Sequence, residues 1–260
     1  MTTQTLKNEL WELVILSTKS PKRLERYSKH KDKNVRAFVG KNVNTDSNTL
    51  LRLGDDPEKV VRYAVAENPS TPVELLTTFY ETKNVHMLRR LAKNTSLPYK
   101  FLRALADHKD YIVRRGVAEN LSATPDILDY LASDINSYVR MSVASNPKTP
   151  PYVLGHLAKD FNEQIRLRVA YNPNTEYEVH KELFKDNNTG VREVAIRIAK
   201  FTAEDARKMA TSQEWLVQVA LAANPHIPED LAKKYSHSRD PYIQRATQYA
   251  AKKRKEMQKK

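Results

Sequence analysis

Cysteine is absent from all 260 residues. That excludes disulfides, thiolate metal sites, iron–sulfur clusters and cysteine nucleophiles together. Glycine is scarce, with 5 residues against 13 prolines, a balance that disfavours an all-β chain rich in glycine turns and suits helices punctuated by proline. No apolar run approaches membrane-spanning length. The opening stretch MTTQTLKNELWELVILSTKS lacks a cationic leader and carries Glu9 and Glu12 within its apolar part, so it does not read as a secretory signal; the expected compartment is the cytoplasm. The histidines (His30, His86, His108, His156, His180, His226, His237) show no His-x-x-x-His spacing, and no zinc site is expected. Phosphate-cradling glycine loops, nucleophile elbows and paired carboxylate motifs are missing as well. Neither a cofactor nor a metal is expected.

The net charge is +13, and its placement matters more than its size. Residues 1–42 hold ten Lys/Arg against four Asp/Glu, and residues 229–260 again ten against four. Residues 121–228 are balanced, with 12 cations and 13 acids. Basic ends make nucleic acid a possible partner, but a uniformly basic groove is not what the chain encodes.

The fragment Val61-Arg-x-x-Val-Ala-x-Asn68-Pro69 recurs every 26 residues without insertion or deletion. Its asparagine stands at Asn42, Asn68, Asn94, Asn120, Asn146, Asn172 and Asn224, with Ile198 and Ala250 as the exceptions. The repeats are residues 17–42, 43–68, 69–94, 95–120, 121–146, 147–172, 173–198, 199–224 and 225–250. Seven and three residues before this anchor the chain is apolar, as at Val35/Val39, Val61/Val65 and Val139/Val143, a spacing of four that shares one helical face. Two before it stands mostly alanine, which lets neighbouring helices approach. Ten before it every residue is acidic or Asn (Asp32, Glu58, Asn84, Asp110, Asn136, Asn162, Asn188, Glu214, Asp240), which predicts the N-cap or first turn of a second helix. The anchor Asn is expected at that helix's end in a left-handed conformation, with proline following it as a stop. Thr71-Pro72-Val73-Glu74 reads as N-cap, N1 proline and N3 glutamate of a capping box opening the first helix of the next repeat, and Thr175-Glu176-Tyr177-Glu178 repeats the pattern without proline.

A pair of short amphipathic helices cannot bury its own apolar stripe, so neighbours must supply the other wall. The expected fold is all-α, a right-handed α-solenoid of about nine 26-residue helix pairs. Residues 1–16 are expected as an N-terminal capping helix, 17–250 as the repeat domain and 251–260 as a basic tail. The run Asp134-x-Asn136-x-x-Val139-Arg140-x-x-Val143-Ala144-x-Asn146-Pro147-x-Thr149-Pro150 resembles the leucine-rich repeat variant family and, more distantly, HEAT repeats. The resemblance covers residues 17–250 and implies a fold rather than an activity. Some relatives in that family carry a cysteine-bound iron–sulfur cluster, which this chain has no ligands to hold.

Several residues invite a functional reading. An arginine column six before the anchor (Arg36, Arg62, Arg114, Arg140, Arg166, Arg192) is either a phosphate track or a structural ladder, and Asp56, Asp134, Asp160 and Asp186, six residues before four of those arginines, favour the ladder. The exposed face of the second helix, which lines the concave surface in related solenoids, carries Lys41, Arg89, Lys93, Arg115, Arg197 and Arg245 among Glu67, Glu119 and Glu193, with Tyr63, Met141, Leu167, Tyr171 and Val219 between them. Arg89, Arg90, Lys93, Arg114, Arg115, Met141, Leu167 and Tyr171 are the candidate partner-binding face. Lys22, Arg23, Arg26, Lys252, Lys253 and Arg254 are candidate phosphate contacts, although end repeats need a polar outer surface in any case. Trp11 and Trp215 read as core or cap residues. The expected function is a noncatalytic scaffold for a protein or peptide partner; the alternatives are a nucleic-acid-binding solenoid and, remotely, an alkylpurine glycosylase-like enzyme, for which no Asp–Trp–Arg constellation is visible.

Overall fold

The computed structural model describes residues 3–259, with side chains from residue 9, and every regular element among these residues is an α-helix. The chain forms two compact units, residues 1–127 and 128–260. The N-terminal unit contains α1 (Thr3–Leu16), α2 (Pro21–Tyr27), α3 (Lys33–Lys41), α4 (Ser47–Gly54), α5 (Lys59–Glu67), α6 (Val73–Glu81), α7 (Val85–Leu91), α8 (Tyr99–Ala106) and α9 (Tyr111–Glu119). The boundary falls within α10 (Pro125–Ala132). The C-terminal unit contains α11 (Ser137–Ser145), α12 (Pro151–Leu157), α13 (Glu163–Tyr171), α14 (Tyr177–Leu183), α15 (Thr189–Ile198), α16 (Ala203–Met209), α17 (Trp215–Ala222), α18 (Glu229–Ser236) and α19 (Pro241–Met257).

Each 26-residue repeat is a first and a second helix, and within each unit the second helices lie side by side: α3, α5, α7 and α9 in one, α11, α13, α15, α17 and α19 in the other. The apolar columns are the reason. Val35, Val39, Val61, Val65, Val113 and Val117 are completely buried, as are Val139, Val143, Ile165 and Val169. The first helices cover them with Leu50, Leu76, Leu102 and Leu154. A helix of seven to nine residues is too short to persist alone in water, so this interlocking burial is what holds each one. Close approach is needed too: a Cβ on Gly116 of α9 would come within 2.8 Å of the Ala92 Cβ.

All nine residues of the acidic-or-Asn column are N-caps of second helices. Seven accept a backbone N–H in the first turn, for example Asp32 from Asn34 at 2.8 Å and Asn162 from Gln164 at 2.9 Å; Glu58 and Glu214 make no such bond. The capping-box expectation at Thr71 and Thr175 is corrected. Pro72 and Glu176 are the N-caps there, without a side-chain cap. The threonine hydroxyls point backwards instead and donate to the carbonyls of Val65 and Val169, at 2.6 and 2.5 Å. Thr45 and Thr149 do the same to Val39 and Val143, both at 2.6 Å. These hydroxyls give a last-turn carbonyl a second donor beside the amide of the C-cap asparagine, where the regular helical bond is missing.

The anchor asparagine also differs from expectation. Its backbone is extended, not left-handed: Asn68 has φ −75° and ψ 124°. Its side chain explains the repeat. Asn68 Nδ2 donates to the carbonyls of Gly40 and Asn42 in the preceding repeat, at 2.7 and 2.9 Å, while Oδ1 accepts the Ser70 amide at 2.8 Å. Asn94 repeats this on Ala66 and Asn68, Asn120 on Ala92 and Asn94, and Asn172 on Ala144 and Asn146. Asn42 reaches Ile15 and Thr18, so α1 packs against α3 in the way a second helix packs against the next. Each carboxamide is buried with both donors and its oxygen engaged, as a buried polar group requires. Where Ile198 replaces Asn the helix runs one residue further, and Asn224 bonds Ile196 and Ala199 instead.

The first repeat exposes Lys22, Arg23 and Arg26 on α2, whereas Leu10 and Leu13 of α1 are 64% and 69% exposed. At the other end no asparagine interrupts the chain at Ala250, and residues 251–257 continue α19 as helix.

Candidate interaction surface

The arginine column is a ladder. Arg140 Nε and Nη2 grip both carboxylate oxygens of Asp160 in the next repeat, at 2.7 and 3.2 Å, while Nη1 donates to the carbonyls of Asp134 and Ile135. Both side chains are nearly sealed, 8% and 6% exposed. Arg36–Asp56 and Arg166–Asp186 are built the same way. Burial opposes ionisation of Asp56, Asp160 and Asp186, but the bonds from Arg36, Arg140 and Arg166 and from local backbone amides outweigh it and hold all three carboxyls below the usual range. Arg62, Arg114 and Arg192 grip the equivalent loop carbonyls of their own repeats. Where the column carries Gln218, its amide takes over, donating to Ser212 at 2.6 Å. Arg114, a candidate for the partner-binding face, therefore has its guanidinium turned onto the His108 and Lys109 carbonyls.

Of the other candidates in the N-terminal unit, Arg89, Arg90, Lys93 and Arg115 stand on α7 and α9, and each meets a carboxylate. Arg89 pairs with Asp110 at 2.5 Å, Arg90 with Glu67 at 2.8 Å, Lys93 with Glu119 at 3.7 Å and Arg115 with Glu119 at 2.7 Å. Arg90 also lies over the Tyr63 ring, 5.6 Å from its centroid. Alternating signs at adjacent second helices thus cancel most of the positive charge of this face. Across α3, α5 and α7 runs a groove of about 230 Å³ with Phe38, Val60 and Tyr63 among its walls and Lys41, Glu67 and Arg90 at its edges.

In the C-terminal unit Met141 and Leu167 are half-buried and Tyr171 is exposed. The Tyr171 hydroxyl accepts from Arg197 Nη2 at 2.9 Å. A second pocket, about 330 Å³, lies against Tyr171, Arg197, Ile198, His226, Tyr249 and Lys253. Of these Tyr171 and Arg197 stood out in the sequence as second-helix face residues and Lys253 as a candidate phosphate contact. The signal that could have found the rest is the broken asparagine column at Ile198, together with the small Ala223 between Arg197 and Tyr249 in the same column.

The candidate phosphate contacts fare unevenly. Lys22, Arg23 and Arg26 are exposed on α2, and Lys252 is exposed on α19. Lys253 pairs with Glu256 at 2.8 Å. Arg254 is corrected: its guanidinium donates to the carbonyls of Pro225 and Ile227, at 2.6 and 2.7 Å, and serves as a clamp on the preceding repeat. Trp11 packs edge-on to Tyr27 and beside His30. Trp215 is half-exposed and donates Nε1 to Asp240 at 2.7 Å, an ordinary inter-repeat contact at a helix N-cap. No group of three or more His, Asp or Glu among the described residues is arranged to hold a metal ion, and no helix among them is long and apolar enough to cross a membrane.

No family model matches the chain, and no curated protein matches it by sequence. Among solved structures it is similar to a leucine-rich repeat variant with a novel repetitive structural motif, at 26% identity and a TM-score of 0.52, over 78% of this chain and 80% of the other. An engineered protein aligns over 97% of this chain and 95% of its own at 14% identity and a TM-score of 0.36. A designed armadillo repeat protein in complex with the peptide (KR)4 aligns over 90% and 98% at 14% identity and a TM-score of 0.25. The chain is an all-α repeat solenoid of helix pairs, similar in fold and sequence to the leucine-rich repeat variant.

Proposed function

We propose that the protein is a noncatalytic scaffold that binds an extended protein or peptide segment along the exposed face of its second helices. The observation that carries this reading is the groove over α3, α5 and α7, whose apolar and aromatic walls are edged by charges of both signs. An extended chain would lay alternate side chains against Phe38, Val60 and Tyr63 and meet Lys41, Glu67 and Arg90 with its own polar groups, the division of labour expected of a peptide site. Nucleic acid is less well matched. Phosphate binding needs cations free to displace counterions, yet the arginine column is held by carboxylates and carbonyls, and Arg89, Arg90, Lys93 and Arg115 already face Asp or Glu.

Selection of a displayed random-peptide library on the purified protein tests this. Enriched peptides are expected to bind the wild type and to lose at least about tenfold, roughly 1.4 kcal/mol, on Tyr63→Ser or Arg90→Glu. The same measurement is made with duplex and single-stranded oligonucleotides at low salt. Peptides that bind both variants as well as wild type would contradict the proposed face. Oligonucleotide binding that falls steeply with salt, without peptide enrichment, would replace the proposal with a nucleic-acid reading.

A further inference from the structure

The pocket of the C-terminal unit has a composition unlike the groove described above. It lies where the repeat pattern fails. Ile198 replaces the anchor asparagine, α15 gains a residue, and its penultimate side chain is Arg197. In the next repeat the corresponding second-helix residue is only Ala223, which leaves a gap between Arg197 on one side and Tyr249 on the other. The floor is apolar, from Ile198, Ala223 and Pro225. It is also fixed, because Arg254 bonds the Pro225 and Ile227 carbonyls.

The polar groups around this floor share one character. Arg197, Lys253 and His226 line the pocket and no carboxylate does. Arg197 Nη2 is oriented by the Tyr171 hydroxyl, while Arg197 Nε is buried without an acceptor, a condition that a native site tends to relieve with a ligand or water. Glu256 meets Lys253 across an exposed pair at 2.8 Å. Such surface pairs are weak and exchange readily for a better acceptor. Burial, with the charges of Lys200 and Arg254, holds the His226 pKa down, so the ring is neutral and able to donate one hydrogen bond.

We infer that this pocket receives an anionic group carried on a short apolar or aromatic stem, with Arg197 and Lys253 meeting the anion and Ile198, Ala223, Tyr171 and Tyr249 enclosing the stem. The source we assign is a side chain or terminus of the peptide partner, and only that assignment rests on the proposed function.

Small probes test the pocket separately from any peptide. Titrations of the full chain with 3-phenylpropionate, phenyl phosphate and benzyl alcohol are followed by calorimetry and by amide shifts at Ile198 and Ala223. Both anions are expected to bind, and benzyl alcohol at least tenfold more weakly. Arg197→Gln and Lys253→Gln are each expected to weaken the anions at least fivefold while leaving the thermal midpoint unchanged. Tighter phenyl phosphate would assign the anion to a phosphorylated aromatic side chain, and tighter 3-phenylpropionate to a carboxylate. Equal binding of the neutral alcohol, or anion binding untouched by Arg197→Gln, would overturn the inference. Anion binding without any peptide binding would leave the pocket standing and remove the peptide scaffold reading.

Discussion

Asn94→Ala is expected to destabilise the protein by about 2–4 kcal/mol, far more than the loss of a few side-chain atoms would suggest. Asn94 is completely buried and makes three hydrogen bonds, from Nδ2 to the Ala66 and Asn68 carbonyls and from the Ser96 amide to Oδ1. The Ala66 carbonyl is in the last turn of α5, where the helix itself offers no donor, and the Asn68 carbonyl is at its C-cap, where it also accepts the Thr71 amide at 3.1 Å. Alanine leaves the Ala66 carbonyl without that donor and the Ser96 amide without its acceptor, while the Asn68 carbonyl keeps only the Thr71 amide. A buried carbonyl orphaned in this way costs roughly 1–3 kcal/mol, and the broken contact is the one that couples successive repeats. Asn94→Asp is expected to be worse still at neutral pH, because a carboxylate of nearly the same shape would face two carbonyls with no hydrogen to give. Urea unfolding of the two variants checks this. A cost below about 0.5 kcal/mol for Asn94→Ala would show that the asparagine column is not what joins the repeats.

Asp160→Ala, in the C-terminal unit, is expected to cost about 3–5 kcal/mol at pH 7, in the range for removing one partner of a buried ion pair. Arg140 is buried and would keep its charge with no carboxylate gripping it, left to the Asp134 and Ile135 carbonyls and the face of the Phe161 ring. The Asn162 amide would lose its acceptor as well. The pH dependence has a definite sign. The folded-state pKa of Asp160 lies below its ordinary value, so its ionised form stabilises the fold fully above the unfolded carboxylate pKa of about 3.9. That stabilisation is lost as pH falls through the folded value. The difference between wild type and Asp160→Ala should therefore narrow steadily below about pH 4. Asp56 and Asp186 shift in the same direction, which makes the wild type acid-sensitive through three equivalent sites. Thermal midpoints of both proteins across pH 3–7 provide the test, and a difference that does not change with pH would remove the ionised carboxylate from the explanation.

How far the sequence could be read depended on the reach of each contact. The N-cap column was legible because its partner is two or three residues away, as with Asp110 and Ile112. The apolar columns were legible because helical spacing alone assigns their face. The asparagine was legible as a landmark but not as a device: its acceptors lie 26 to 28 residues back, and helix-end statistics suggest a backbone role that Asn68 does not play. Thr71 was misplaced for a similar reason. The Thr-Pro-Val-Glu string imitates a capping box, while the hydroxyl in fact reaches back to Val65. The arginine ladder was half legible. Asp56 stands six before Arg62, and its carboxylate is taken by Arg36 of the preceding repeat while its backbone carbonyl meets Arg62. Arg254 was read as a free tail cation because composition cannot reveal that α19 continues past Ala250 and returns that side chain to the Pro225 carbonyl. The surface was least legible, since whether Arg90 or Arg197 is neutralised depends on which side chains adjacent repeats bring beside it.

The most direct measurement of the inter-repeat clamp is hydrogen exchange at the side-chain NH2 groups of Asn68, Asn94, Asn120, Asn172 and Asn224, read by NMR on the native protein. These carboxamides are buried and bonded to the preceding repeat. Their protons are expected to persist long after those of exposed asparagines such as Asn48 and Asn187 have exchanged. Exchange of the anchor carboxamides as fast as the exposed ones would mean that the ladder is not formed in solution.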